Sequence, residues 1–258
     1  MQNRIIEVFQ NKPNQLLNVY FTAGFPKRDD TRTVLQALQN AGADLVEIGM
    51  PYSDPVADGE TIQQANQKSL DNGMTLSLLF KQLEGMRQTI HLPILLMGYI
   101  NPVLQFGVEN FCKKCKEIGV DGVILPDIPL DIYIDEFKEV FEKYGLLNIF
   151  LITPQTTDQR IVQIDQISKG FIYMVSSASV TGAKSNISTV QESYFERIAA
   201  MNLQNPRLIG FGISDASTFQ KACTHASGAI IGSAFIKMLE SSTSITEDTQ
   251  KFIDSIKD

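Results

Sequence analysis

The stretch Ala43-Asp44-Leu45-Val46-Glu47-Ile48-Gly49-Met50-Pro51-Tyr52-Ser53-Asp54-Pro55-Val56-Ala57-Asp58-Gly59 begins as an apolar strand. It ends as a loop too polar, and too broken by Pro and Gly, to be a helix. A strand running into such a loop is half of a βα unit, and α/β enzymes gather their chemistry at that junction. Glu47 arrives at the strand's carboxyl end, where rigid backbone holds it, while Asp54 and Asp58 ride on the loop behind it. One acid is fixed and two can move. A single acid at a loop mouth is most often solvated or paired with a neighbouring base; the whole string is far more specific than any one of its carboxylates.

The same unit recurs in both directions. Apolar runs at 17–21, 44–48, 94–98, 121–125, 147–152, 171–175, 207–210 and 228–231 alternate with segments of helical period. Thr33-Val34-Leu35-Gln36-Ala37-Leu38, Phe137-Lys138-Glu139-Val140-Phe141 and Phe219-Gln220-Lys221-Ala222-Cys223 are such segments. Near-continuous apolar strands fit a parallel sheet buried on both faces. Eight such units close most economically as a (β/α)8 barrel, and 258 residues with 43% hydrophobic content suit one barrel domain over 1–258. The amphipathic opener from Arg4 to Gln10 adds a helix before the first strand, and a short extra helix is expected after strand eight. The rival is an open doubly wound sheet. It would carry G-x-G-x-x-G after its first strand, whereas Thr22-Ala23-Gly24-Phe25-Pro26 has a single glycine.

Composition excludes several classes of function. A net charge of −7 argues against a nucleic-acid surface, which needs clustered Lys and Arg. No apolar run approaches the ~18 residues that span a bilayer, and the polar opening Met1-Gln2-Asn3-Arg4 lacks a signal peptide's apolar core, so a cytoplasmic location is expected. Cys112 and Cys115 lie three apart on a helical segment without a second Cys pair or His cluster, so no metal site is expected. His91 and His225 sit at helix ends or in loops and give no support to a Ser-His or Cys-His nucleophile.

The glycines near the chain's end point to an anion. Gly210-Phe211-Gly212 follows strand seven and Gly232-Ser233 follows strand eight, where barrels place free helix N–H groups against a phosphate. Neutral backbone donors would let an acidic protein hold an anion without a basic patch. In strand six, Tyr173 alternates with Phe171 and Val175, which can aim it into the barrel; Tyr20, Met97 and Phe211 can complete an apolar pocket.

The thirteen residues Glu47 to Gly59 closely resemble the signature of the tryptophan synthase alpha subunit family. So do Leu95-Leu96-Met97-Gly98-Tyr99-Ile100-Asn101-Pro102, Gly122-Val123-Ile124-Leu125-Pro126-Asp127-Ile128-Pro129, Ser179-Val180-Thr181-Gly182-Ala183, Gly210-Phe211-Gly212-Ile213-Ser214 and Gly232-Ser233-Ala234, in order and at fitting intervals. The resemblance implies a phosphate-binding (β/α)8 barrel that cleaves indole-3-glycerol phosphate to indole and glyceraldehyde 3-phosphate. It needs no cofactor of its own and works beside a pyridoxal-phosphate beta subunit in an alpha2-beta2 assembly.

By that resemblance Glu47 is the general acid/base, and Asp58 binds the indole N–H and stabilises the indoleninium-like state. Asp127 supports the site from the end of strand four, and Thr181 and Gly182 add contacts when their loop closes. Asp54, Asn101 and Pro129 face the beta subunit. The chain departs from a common family form at Ser177 and Ser179, where some members carry Arg and Gly; the missing guanidinium bears on how that loop grips the phosphate region. Two other readings stay open at this stage: a Schiff-base aldolase, although strand six (Phe171-Ile172-Tyr173-Met174-Val175) offers no lysine, and a non-catalytic barrel that only binds and activates the beta subunit.

Overall fold

In the computed structural model, which describes residues 3–175, 189–210 and 212–257, the apolar runs form a single parallel sheet. Its strands are β1 (Leu16–Thr22), β2 (Leu45–Gly49), β3 (Ile94–Met97), β4 (Gly122–Ile124), β5 (Leu147–Ile149), β6 (Leu151–Ile152), β7 (Ile172–Val175), β8 (Arg207–Gly210) and β9 (Gly228–Ile231). Their order is β5-β4-β3-β2-β1-β9-β8-β7-β6. The two ends of this order, β5 and β6, are joined in the chain through Phe150 alone, so the backbone itself closes the sheet into a barrel of eight staves. The fifth stave was expected as one strand at 147–152; it divides because it pairs with β4 up to Ile149 and with β7 from Leu151. Tyr173 N–H donates to the Phe150 carbonyl across the change of partner, at 2.9 Å.

The helices are α1 (Arg4–Asn11), α2 (Thr31–Asn40), α3 (Glu60–Asp71), α4 (Leu76–Leu83), α5 (Ile100–Phe106), α6 (Val108–Ile118), α7 (Leu130–Ile132), α8 (Lys138–Tyr144), α9 (Asp158–Ile167), α10 (Thr189–Ala200), α11 (Ala216–Cys223), α12 (Ser233–Ser241) and α13 (Ile245–Lys257). A π-helical turn, Tyr133–Phe137, joins α7 to α8. Both sequence-expected additions are present: α1 before the first stave, and the short α12 between β9 and α13. This is the (β/α)8 architecture.

Burial on both faces explains the near-continuous apolar runs, since every residue of β1 and β2 is buried. Inward side chains Leu16, Leu45, Leu95, Ile124, Ile149, Phe171, Leu208 and Ile230 fill the barrel. Ile5 and Phe9 of α1 plug its amino-terminal end, with Phe9 and Phe171 ring centroids 5.6 Å apart. At that end Asp121 is clamped by Arg4 at 2.8 Å and Arg87 at 2.6 Å. The amino-terminal end is thus filled and pinned, which leaves the carboxyl ends of the staves for chemistry.

Candidate active site

Glu47 projects into the barrel from β2, where its Cα pairs in register with Tyr20 of β1 and Leu95 of β3. It is fully buried, and its Oε1 accepts a 2.6 Å hydrogen bond from the Asn18 side-chain amide. Burial removes water from the charged form and pushes the Glu47 carboxyl up to about 8, although the Asn18 donor pulls the other way. Glu47 therefore holds a proton near neutral pH.

Asp58 reaches the same space from the loop between β2 and α3. The loop is ordered by its own turns, with Val56 N–H on the Asp54 carbonyl at 2.9 Å and Asp58 N–H on the Pro55 carbonyl at 3.1 Å. The Ala57 N–H donates to the Tyr99 hydroxyl at 2.9 Å, and the Gln63 amide donates to the Asp58 carbonyl at 2.7 Å. The Asp58 carboxyl is buried, with the Tyr99 hydroxyl at 3.4 Å and the Asn66 amide at 3.5 Å from Oδ2. Burial raises it to about 6, against those two hydrogen bonds. The two carboxyls are thus separated in acidity: around neutral pH the strand acid is protonated and the loop acid ionised.

Two tyrosines face both acids. Tyr20 and Tyr173 are buried, and burial together with the Glu47 and Asp58 charges holds each phenol proton well above its ordinary range. Two inward glycines make room for these rings. A Cβ on Gly49 would collide with the Tyr20 hydroxyl, and one on Gly210 with the Tyr173 hydroxyl. The inward aim expected for Tyr173 from its alternation is observed, with Phe171 and Val175 beside it in the barrel interior. Tyr20, Met50, Asp58, Asn66, Met97 and Tyr99 are among the residues that enclose a cavity of about 10 Å³. That is room for one water.

The remaining sequence candidates fall in three places. Gly232 caps the start of α12 without a side-chain hydrogen bond, and its Cα-borne hydrogen looks onto Tyr20, whose Cβ would lie 3.5 Å from an added Cβ. The Ile236 N–H donates to the Gly232 carbonyl at 3.0 Å, and among the described residues the N–H groups before it in this turn show no acceptor. Gly212 is exposed in a left-handed conformation, at φ +80°. Asp127 is exposed and accepts the Ile100 N–H at 3.0 and 3.1 Å, tying the β4 loop to the start of α5 rather than lining the cavity.

Asp54, Asn101 and Pro129 are all exposed, and Val56, Leu104 and Ile132 are exposed apolar side chains on the same three loop-helix connections. Thr181, Gly182 and Phe211, with Ser177 and Ser179, lie outside the described residues. Among the described residues no group of His, Cys, Asp and Glu is placed to hold a metal ion, and no helix is long and apolar enough to cross a membrane.

Sequence reasoning missed Asn18, Asn66 and Tyr99 as partners of the acids. For two of them a signal was present: Asn18 shares the inward face of β1 with Leu16 and Tyr20, and Asn66 falls on the buried stripe Ile62, Ala65, Asn66 and Ser69 of α3. A polar residue on a face that must be buried asks for a polar partner.

A barrel whose mouth holds one protonated and one ionised carboxyl defines an acid–base enzyme of the (β/α)8 class. The sequence profile described as Tryptophan synthase alpha chain matches residues 7–257. The Tryptophan synthase alpha chain of Flavobacterium johnsoniae is 55% identical over 255 residues, covering 99% of this chain and 100% of that one. That of Christiangramia forsetii is 52% identical, covering 99% and 98%. Among solved structures, a tryptophan synthase alpha chain from Legionella pneumophila superposes with a TM-score of 0.88 at 29% identity, over 100% of this chain and 97% of that one. The chain belongs to the tryptophan synthase alpha chain family: it is a lyase of tryptophan biosynthesis, and the alpha designation implies a beta-subunit partner.

Proposed function

We propose that this site cleaves indole-3-glycerol phosphate by retro-aldol chemistry, with Glu47 as the proton-transferring group and Asp58 as the electrostatic one. Protonation of indole carbon 3 places positive charge on the ring nitrogen. Loss of the substrate hydroxyl proton then breaks the carbon–carbon bond, releasing glyceraldehyde 3-phosphate and returning the electron pair to indole. Glu47 gives its proton to carbon 3 and its carboxylate takes the hydroxyl proton, so the residue ends as it began. Ionised Asp58 accepts the indole N–H and offsets the charge that develops there. Asp58 has its own donors in Tyr99 and Asn66, which hold it in place for that contact.

The observation that carries the reading is the fully buried Glu47 carboxyl in β2, bonded to the Asn18 amide and raised by burial to about 8, while the buried Asp58 on the loop is raised only to about 6. The turn from Gly232 into α12 supports a phosphate site within reach of Tyr20; Gly212 and Ser233, with Thr181, Gly182 and Phe211, complete that reading. Tyr20, Met97 and Tyr173 hold the indole ring, and Asp127 keeps the adjoining loop in position. The exposed face bearing Asp54, Asn101 and Pro129, with apolar Val56, Leu104 and Ile132 around them, fits docking of a beta subunit in an alpha2-beta2 assembly. Pyridoxal phosphate belongs to that subunit, and this chain works in the cytoplasm without a cofactor of its own. The isolated chain should release indole slowly from indole-3-glycerol phosphate. Absence of release, alone and with beta subunit, would favour a non-catalytic activator instead.

A further inference from the structure

Asn18 and Glu47 are the two fully buried polar side chains that meet inside the barrel, the amide Nδ2 standing 2.6 Å from Oε1. Asn18 is held on both sides by the sheet, its Cα in register with Leu45 of β2 and Ile230 of β9. Among the described residues the other oxygen of each group, Glu47 Oε2 and Asn18 Oδ1, has no hydrogen-bond partner. An oxygen that accepts from an amide N–H is the carbonyl-like oxygen of a carboxylic acid, so the acid's proton sits on the other one. Among the described residues Tyr20 of β1 and Tyr173 of β7 lie within electrostatic reach of Glu47 besides Asn18, and Asp58 acts on the same two tyrosines.

Resting on the reading of Glu47 as the proton-transferring group, we propose that Asn18 is a positioning residue that fixes Oε1 as acceptor and leaves Oε2 as the single oxygen through which the proton passes to and from substrate. Without it the carboxyl can rotate, and either oxygen can carry the proton. The donor also favours the ionised form, so it limits how far burial raises the acid. Asn18 thereby keeps Glu47 able both to give a proton and to take one back.

The test uses the full chain with Asn18→Leu, which keeps the number and branching of the side-chain heavy atoms but has no polar group, and Asn18→Ala as the smaller variant. In Asn18→Leu the alkaline limb of the kcat profile should move up by about one pH unit, a tenfold change in proton affinity. Kcat near neutrality should fall about tenfold while KM stays within about twofold, the mark of a lost proton-transfer alignment. The infrared carbonyl stretch of protonated Glu47, assigned by its loss in Glu47→Gln, should shift to higher frequency in both variants because Oε1 has lost its donor. An unmoved limb and an unmoved band, with Glu47→Gln inactive, would overturn the proposal and leave the acid–base role of Glu47 intact. Loss of folding in both variants would assign Asn18 to the core and overturn it equally. Wild-type activity in Glu47→Gln would remove Glu47 from the chemistry and the proposal with it.

Discussion

Glu47 and Asp58 are both carboxyls, yet their settings give them opposite protonation states. Glu47, on a strand with one donor, is held near 8, and Asp58, on a loop with two, is held near 6. Each sign follows from the form the chemistry needs. Asp58 must be ionised, so activity is lost as pH falls through its value; Glu47 must be protonated, so activity is lost as pH rises through its own. We expect kcat/KM to be bell-shaped, with an acid limb near 6 and an alkaline limb near 8, and the profile of the isolated chain checks it. A flat profile across that window would detach the rate from these groups. At this scale the sequence was partly legible. Glu47 and Asp58 were legible through the string Glu47 to Gly59 that holds them and its family resemblance rather than as single acids, and period-two alternation gave the aim of Tyr173. Asn18, Asn66 and Tyr99 did not stand out, because a partner is a relation across the fold: Asn18 and Glu47 are 29 residues apart, and Tyr99 and Asp58 are 41 apart.

The elements divide the labour between rigidity and access. Strand β2, hydrogen-bonded to β1 and β3, fixes Glu47, while the loop that follows carries Asp58 and can move without disturbing the barrel. In the proposed phosphate site helix α12 would contribute through its first turn, whose Gly232 cap makes no side-chain hydrogen bond and where free N–H groups and the helix dipole favour an anion. A carboxylate at its cap should repel that anion. Gly232→Asp is expected to raise KM at least ~10-fold, a loss of the size set by one charge-assisted contact, with a smaller change in kcat and a melting temperature near that of wild type. Inhibition constants for inorganic phosphate should rise in parallel, and an unchanged KM would place the phosphate elsewhere. Strand positions were legible because burial on both faces leaves room for few polar residues, and Asn18 and Glu47 are exceptions that meet each other. The change of partners at Phe150 and the π turn Tyr133–Phe137 were not, because neither alters the apolar pattern; each shows only in which backbone groups pair.

On the scale of the whole molecule, the amino-terminal end is closed by α1 and the Asp121 clamp, and the carboxyl end presents the site and the exposed loops together. The cavity between Asp58, Tyr99 and Met97 is small, and the loop after β2 forms part of its wall through Asp58. A partner docked on Asp54, Asn101 and Pro129 would act on that same loop. Added beta subunit should therefore raise indole formation by about an order of magnitude or more. Asp54→Ala should weaken that activation with little effect on the isolated chain, since Asp54 is exposed and bonds only to Ser53 beside it through its side chain among the described residues. Titration of beta subunit into both proteins, followed by glyceraldehyde 3-phosphate release, reads this directly; equal activation would take Asp54 out of the coupling. The proposed chemistry turns on one buried proton on β2. Its most direct test is the single-turnover rate of indole release by Glu47→Gln, which keeps the volume and the Asn18 contact site but has no proton to exchange. The rate should be at least ~100-fold below wild type with substrate affinity within a few-fold; a rate near wild type would remove Glu47 from the proton transfer.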